Sequence, residues 1–315
     1  MDTNSTNSKS PDTKVVLNVL FAAFAFSTME VTLKIAGANI DSFQMTFIRF
    51  FIGGIVLIPF AVSERKRRAE GLHTRDVLYT ALLGIVCVPV SMLLFQLGIM
   101  HSNASTAAVL ISTNPVFTII FAHFMTADDR INRRKALSLA IAIPGIVLMV
   151  RPWDIQAGNT AAGAILSILS ALTFALYTVM GARSVARIGT FTQTVLSFAF
   201  GCAALFIIML FLGKPVFSGL AANLPVVLYI GVVVTGLGYV FMFTAIKYSN
   251  ATTGSYIFFI KPGLAAAIAI IVLHETVLWN TFVGVALVLL ASWINLAGRK
   301  TNPKQPPGNA DSLRR

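Results

Sequence analysis

Residues 102–125 read SNASTAAVLISTNPVFTIIFAHFM, and residues 249–272 read SNATTGSYIFFIKPGLAAAIAIIV. One offset relates them, 249 minus 102 or 147 residues, and it carries Ser102-Asn103-Ala104 onto Ser249-Asn250-Ala251, Pro115 onto Pro262 and Asp128 onto Glu275. Each copy opens on small polar residues and continues as an apolar run. Crossing roughly 30 Å of hydrocarbon takes about 20 mostly apolar residues. Ten runs approach that length, near 15–35, 43–62, 77–99, 104–125, 136–150, 161–180, 191–212, 224–246, 251–273 and 279–297. The two copies open runs four and nine, and that separation of five runs is odd, so the second copy crosses in the opposite direction. The chain therefore reads as an all-α membrane protein, with ten transmembrane helices arranged as two inverted five-helix repeats. Such repeats place a binding site near the midplane, between the halves.

Composition supports the same class. Of 315 residues, 56% are hydrophobic and 11% charged, against roughly a quarter charged in soluble domains. Mean hydropathy is +0.80. The net charge of +12 would suit a nucleic-acid partner if it formed a patch, but it lies in alternate loops. With the N-terminus inside, nineteen Lys and Arg fall on the inner side, and only Arg151 and Lys214 lie in outer loops. Basic loops are retained in the cytoplasm, so both termini read as cytoplasmic and no nucleic-acid partner is expected. The division that follows is a polar tail at 1–14, a first repeat at 15–152, a second at 153–298 and a basic polar tail at 299–315. Cys87 and Cys202 lie in apolar runs and read as small buried hydrophobes. Metal-ligand spacings, phosphate-cradling glycine loops and Ser-His-Asp groupings are absent, so no catalytic residue, metal or cofactor is expected.

Function is sought in charges that hydrocarbon does not tolerate. Within the runs lie three cations, Lys34, Arg49 and Lys261, and one acid, Glu30. An ionised group at that depth costs several kcal/mol unless it faces a cavity or a partner. Lys261 precedes Pro262-Gly263, where a proline removes a helical hydrogen bond, so Pro262, Gly263 and the matching Pro115 read as helix breaks. Lys261 is placed either to receive a substrate carboxylate or to pair with Glu30. Glu30 in turn has Lys34, Arg49 and Lys261 as competing partners, or else serves coupling or a substrate amine. Arg49 reads as a tie between span two and its neighbours or as a substrate ligand. Asn114 is the counterpart of Lys261 under the offset, and Gln96, Tyr177, Tyr239 and Tyr256 offer polar tips to a cavity.

These residues resemble the drug/metabolite transporter superfamily, specifically its ten-span EamA-type branch. The resemblance rests on Lys34, on Phe47-Ile48-Arg49-Phe50, on Thr178 in its Ala-Leu-Tyr-Thr run, and on the two proline segments followed by Asp128 and Glu275. It implies a secondary carrier or exporter of small metabolites, with an amino acid or its derivative as first substrate class and the bacterial inner membrane as location. Protons are candidate coupling ions, membrane lipids surround the chain, and monomer and homodimer both remain open. In smaller four-span relatives a coupling glutamate stands in span one; aligned on Lys34 it falls at Phe26, one turn from Glu30. Proton-coupled efflux of cationic, drug-like compounds and passive facilitation are the alternatives.

Overall fold

The computed structural model describes residues 13–68, 71–125, 133–150, 160–248, 257–274 and 279–297, and these are helices and short connections with no strand among them. The first, α1, runs Thr13–Ser27 and resumes as Met29–Gly37 after a turn at Thr28. Next come α2 (Ser42–Lys66) and α3 (Thr74–Met100), and then α4, which is interrupted between Ala104–Ile111 and Asn114–Met125. The chain continues with α5 (Arg133–Val150), α6 (Ala161–Ile188) and α7 (Thr190–Phe211). It ends with α8 (Leu224–Leu228, Tyr229–Leu237 and Gly238–Tyr248 in succession), α9 (Ile257–Leu273) and α10 (Trp279–Ala297).

Among the described residues, seven helices are long and apolar enough to cross a membrane: α1 to α4 and α6 to α8. The apolar stretches of α5, α9 and α10 are shorter: Ala136–Gly145, Lys261–Leu273 and Phe282–Ala291. Large apolar side chains face outward along these helices, among them Leu78, Phe124 and Ile271, as a hydrocarbon solvent allows. Trp279 and Trp293, both exposed, sit near the two ends of α10, where an aromatic belt is expected.

Neighbours are set by small residues. In α2 against α8, Gly53 packs on Thr235 and Gly236, and Gly231 on Ile52; in α3 against α7, Gly84 faces the backbone of Ser197 and Gly201. Small side chains let backbones approach where lipid offers no hydrophobic drive to associate. The remaining principal contacts are α2 with α7, α1 with α8 and α9, α6 with α3 and α4, and α5 with α10. Polar ties lock the ends of α2. At one end Asp41 pairs with Lys214 at 3.0 Å, and Gln44 donates to the carbonyls of Val216 and Ser218. At the other, basic end, Glu64 accepts from the backbone N–H groups of Thr190 and Thr192 and so caps α7. Arg187 meets Asp76 at 3.0 Å beside it.

One of the two expected helix breaks is absent. The helix α9 continues through Pro262 and Gly263, so no break lies there. Pro262 falls in the second described turn, and Gly263 is exposed with open space at its Cα. In α4 the helix is interrupted at Ser112-Thr113, two residues before Pro115; Pro115 itself sits in the first turn of the second segment, where a missing N–H costs least. Two further departures are π-helical stretches, Val86–Met92 in α3 and Tyr229–Leu237 in α8. Pro89 lies inside the first of them, and an inserted residue of this kind commonly marks a functional segment. Tyr256, Asp128, Glu275, Trp153, the 249–253 copy of the repeat, residues 1–12 and the tail at 299–315 lie outside the described residues, whereas Thr13 and Lys14, read as the end of the first tail, already belong to α1.

Candidate functional site

The turn at Thr28 brings α1 onto α8 and α9. Ser27 Oγ donates to Ala23 O at 2.6 Å and reaches Lys261 O at 3.3 Å, while Thr28 Oγ1 and Tyr229 Oη stand 2.8 Å apart. Two residues further, Glu30 projects into the same contact. Lys261 Nζ lies 2.6 Å from Glu30 Oε1, an ion pair by distance although not aligned as a hydrogen bond. Both side chains are sealed from solvent, at 3% and 0% exposure. The Lys261 ammonium also stands 5.7 Å from the centre of the Phe95 ring on α3, within cation–π range. Glu30 Oε2 has no hydrogen-bond partner among the described residues.

Of the three cations that compete for Glu30, the structure selects Lys261. Lys34, one turn along α1 from Glu30, turns to the carbonyls of Ile99 and Ser102 at the end of α3. Arg49 is 1% exposed and stays within electrostatic range of Glu30, Tyr239, Cys87 and Cys202. Its Nη1 lies 3.6 Å from Met29 Sδ, and its guanidinium carbon sits 4.6 Å from the centre of the Phe50 ring. Its Nε and Nη2 have no hydrogen-bond partner among the described residues.

The other sequence candidates separate into two groups. Tyr239, buried, packs edge-on against Phe26 and Phe198, beside Arg49. Gln96 is fully buried next to Gly37, with both ends of its amide unpartnered. The second group lies where α6 meets α4 and α7. Asn114 Nδ2 donates to Ala171 O at 3.1 Å, and Gln193 Nε2 donates to Ser197 Oγ at 2.9 Å and to Tyr177 Oη at 3.4 Å. Tyr177 also interacts with Cys87, which links this group to the surroundings of Arg49.

Several participants escape a reading of the sequence. Cys87 and Cys202 read as inert apolar fillers yet lie within electrostatic range of Arg49. Tyr229, Ser27 and Thr28 carry no mark beyond their types, and Phe95 meets Lys261 only because α3 and α9 converge. A hollow at the basic end of α2, lined by Pro59, Val62, Ser63, Lys66 and Arg67, contains none of the candidates. The buried charges, rather than the surface shape, mark the site.

This arrangement can hold and exchange charge out of water, which suits a conduit for a polar solute better than a surface receptor. Comparison with known proteins agrees. The chain spans most of a solved structure described as "Crystal structure of protein", covering 92% of this chain and 100% of that one with a TM-score of 0.65 at 16% identity, a likeness of fold alone. It is 34% identical over 302 residues to a protein of Clostridium kluyveri named "Uncharacterized transporter", covering 93% of this chain and 97% of the relative. Two rickettsial proteins named "S-adenosylmethionine uptake transporter" match about half of each chain: Rickettsia bellii at 26% identity, and Rickettsia prowazekii at 27%. The model of the EamA-like transporter family matches twice, at residues 13–151 and 161–297, nearly end to end. With its apolar helices and sealed charges, this chain is a multi-pass membrane transporter and belongs to the EamA-like transporter family.

Proposed function

We propose that the protein is a secondary transporter of a small polar metabolite, first an amino acid or its derivative, working by alternating access at a midplane site. The observation that carries this reading is the sealed Glu30–Lys261 pair between α1 and α9, at 2.6 Å. A buried ion pair is poor value for stability alone, since apolar residues of the same volume hold helices together as well or better. A carrier has a use for it, because a pair that exchanges partners lets a charged solute enter without leaving a bare charge behind. The rickettsial relatives are named for a derivative of methionine, and an α-amino-acid group has one carboxylate and one ammonium to match such a pair.

In this reading ten helices cross the bacterial inner membrane with both termini in the cytoplasm, as two five-helix repeats at 15–152 and 153–298. Three features support the halves. The family model matches twice. The packing also survives an exchange of halves: α1 with α8 corresponds to α6 with α3, α1 with α9 to α6 with α4, and α2 with α8 to α7 with α3. The self-paired contacts, α2 with α7 and α5 with α10, lie where a pseudo-two-fold axis would run. Finally, the two π-helical stretches fall in α3 and α8, which correspond under the same exchange. Export is the direction carried forward from the sequence; the rickettsial name is for uptake, so the test reads both directions.

The test is counterflow with full-length protein in liposomes, using labelled amino acids including methionine, and S-adenosylmethionine. Saturable counterflow that Lys261→Met abolishes is the expected result. Flux that never saturates would replace the carrier with a facilitator, and full counterflow by Lys261→Met would remove the site assignment.

A further inference from the structure

We propose that Arg49, rather than Lys261, is the receptor for the substrate's carboxylate, holding it side-on through Nε and Nη2. The proposal deepens the reading of the buried cluster as the transport site and rests on it. Among the described residues the buried charged side chains are Glu30, Lys261, Asp76 and Arg49. Glu30 is matched by Lys261, and Asp76 by Arg187. Among the described residues Arg49 has no counter-ion of its own, which leaves the cluster of two cations and one carboxylate with a single uncompensated positive charge.

The geometry of the guanidinium says what is missing. One edge, at Nη1, leans on Met29 Sδ, a weak acceptor, and one face lies on the Phe50 ring. The opposite edge carries Nε–H and the nearer N–H of Nη2, two parallel donors spaced for the two oxygens of a carboxylate, and both are unpartnered. Other cations of the described chain reach oxygen: Arg187 at Asp76, Lys214 at Asp41, Arg68 at the Arg187 carbonyl. A purely structural arginine would be expected to do the same, because a buried donor without an acceptor is costly. The neighbours within electrostatic range are Tyr239, Cys87 and Cys202, uncharged groups, and Glu30, already paired. A single negative charge balances the cluster, whereas a doubly charged phosphate would face Glu30 in surplus. The unpartnered Glu30 Oε2 then offers an acceptor for a donor elsewhere on the same ligand.

The test uses full-length protein in detergent and four probes: propionate, propionamide, L-alanine and chloride. Propionate and L-alanine should raise the unfolding temperature of the wild type, and propionamide should not. Arg49→Lys keeps the charge but removes the fork, and should weaken both carboxylates at least about tenfold, as loss of a bidentate charge-assisted contact does. Should Arg49→Lys fail to fold, the wild type still decides: propionate should slow alkylation of Cys87 and Cys202, and propionamide should not. An unchanged carboxylate response in Arg49→Lys, no slowing of alkylation, or saturation of the stabilising effect by chloride alone overturns the proposal. An Arg49-dependent propionate response without counterflow of any amino acid keeps this carboxylate receptor and ends the amino-acid reading. Amino-acid counterflow that is equal in wild type and Arg49→Lys does the reverse.

Discussion

The contact of α1 with α9 and the contact of α6 with α4 correspond under the exchange of halves proposed above, and they are built from different chemistry. The 147-residue offset carries Asn114 onto Lys261, and the same step carries Glu30 onto Tyr177, since 30 plus 147 is 177. In one half a carboxylate and an ammonium meet at 2.6 Å, out of solvent. In the other, an amide donates to a main-chain carbonyl at 3.1 Å, and a tyrosine hydroxyl accepts from Gln193. The neutral contact shows what a helix crossing at this place requires: a few short polar ties. The charges are in excess of that requirement, and they are confined to one side. Under the carrier reading proposed above, that asymmetry lets one solute bind in one orientation.

The largest expected effect tests the charged side directly. Lys261→Met strands the Glu30 carboxylate in a dry contact and should lower stability by about 3–5 kcal/mol, measured by denaturant unfolding in detergent. Adding Glu30→Gln should return most of that stability without returning counterflow. If the single variant is as stable as wild type, the pair is not buried in the way the comparison requires.

Packing comes next, and here the equivalent crossings differ again. A Cβ at Gly84 would lie 2.8 Å from the Gly201 backbone nitrogen, with the Ser197 carbonyl closer still, so neither neighbour is a side chain that can swing away. At Gly53 the obstacle is the Thr235 side chain, at 2.7 Å. Gly84→Ala should therefore cost roughly 1–3 kcal/mol by the same unfolding measurement, and more than Gly53→Ala. The opposite ranking would mean that α3 and α7 are free to separate.

On the neutral side, Asn114→Leu removes one amide donor and leaves the Ala171 carbonyl to its helix. A loss of about 1–2 kcal/mol is expected, with counterflow reduced far less than in Lys261→Met. Equal loss of counterflow in the two variants would show that the halves share the work, and would break the comparison. The smallest effect lies away from both contacts. Glu64→Gln should weaken the cap on α7 by about 1 kcal/mol and leave counterflow kinetics unchanged. A changed transport rate there would make the Glu64 tie part of the moving machinery.

Much of this protein was legible before any coordinate. Apolar length and the placement of Lys and Arg report on the solvent around the chain, and a membrane imposes that constraint on every residue of a span, so the helical membrane class follows from one-dimensional information. A charge in hydrocarbon is conspicuous for the same reason, and Glu30, Arg49 and Lys261 stood out without a structure. Their pairing did not. Sequence left Lys34, Arg49 and Lys261 all open as partners of Glu30; the ammonium that arrives is Lys261, from a helix more than two hundred residues away, while Lys34, which shares a helix face with Glu30, turns to the end of α3. Nor did sequence mark the free edge of Arg49, or the cysteines beside it, because whether a donor is satisfied depends on which helices converge around it. The continuity of α9 through Pro262 was likewise settled by tertiary packing, which outweighs the local loss of one hydrogen bond. Sequence by itself determined the helical membrane class and picked out the charges that hydrocarbon does not tolerate. The tertiary structure decided which of those residues meet, because partner choice is a property of neighbours in space and only the folded chain supplies them.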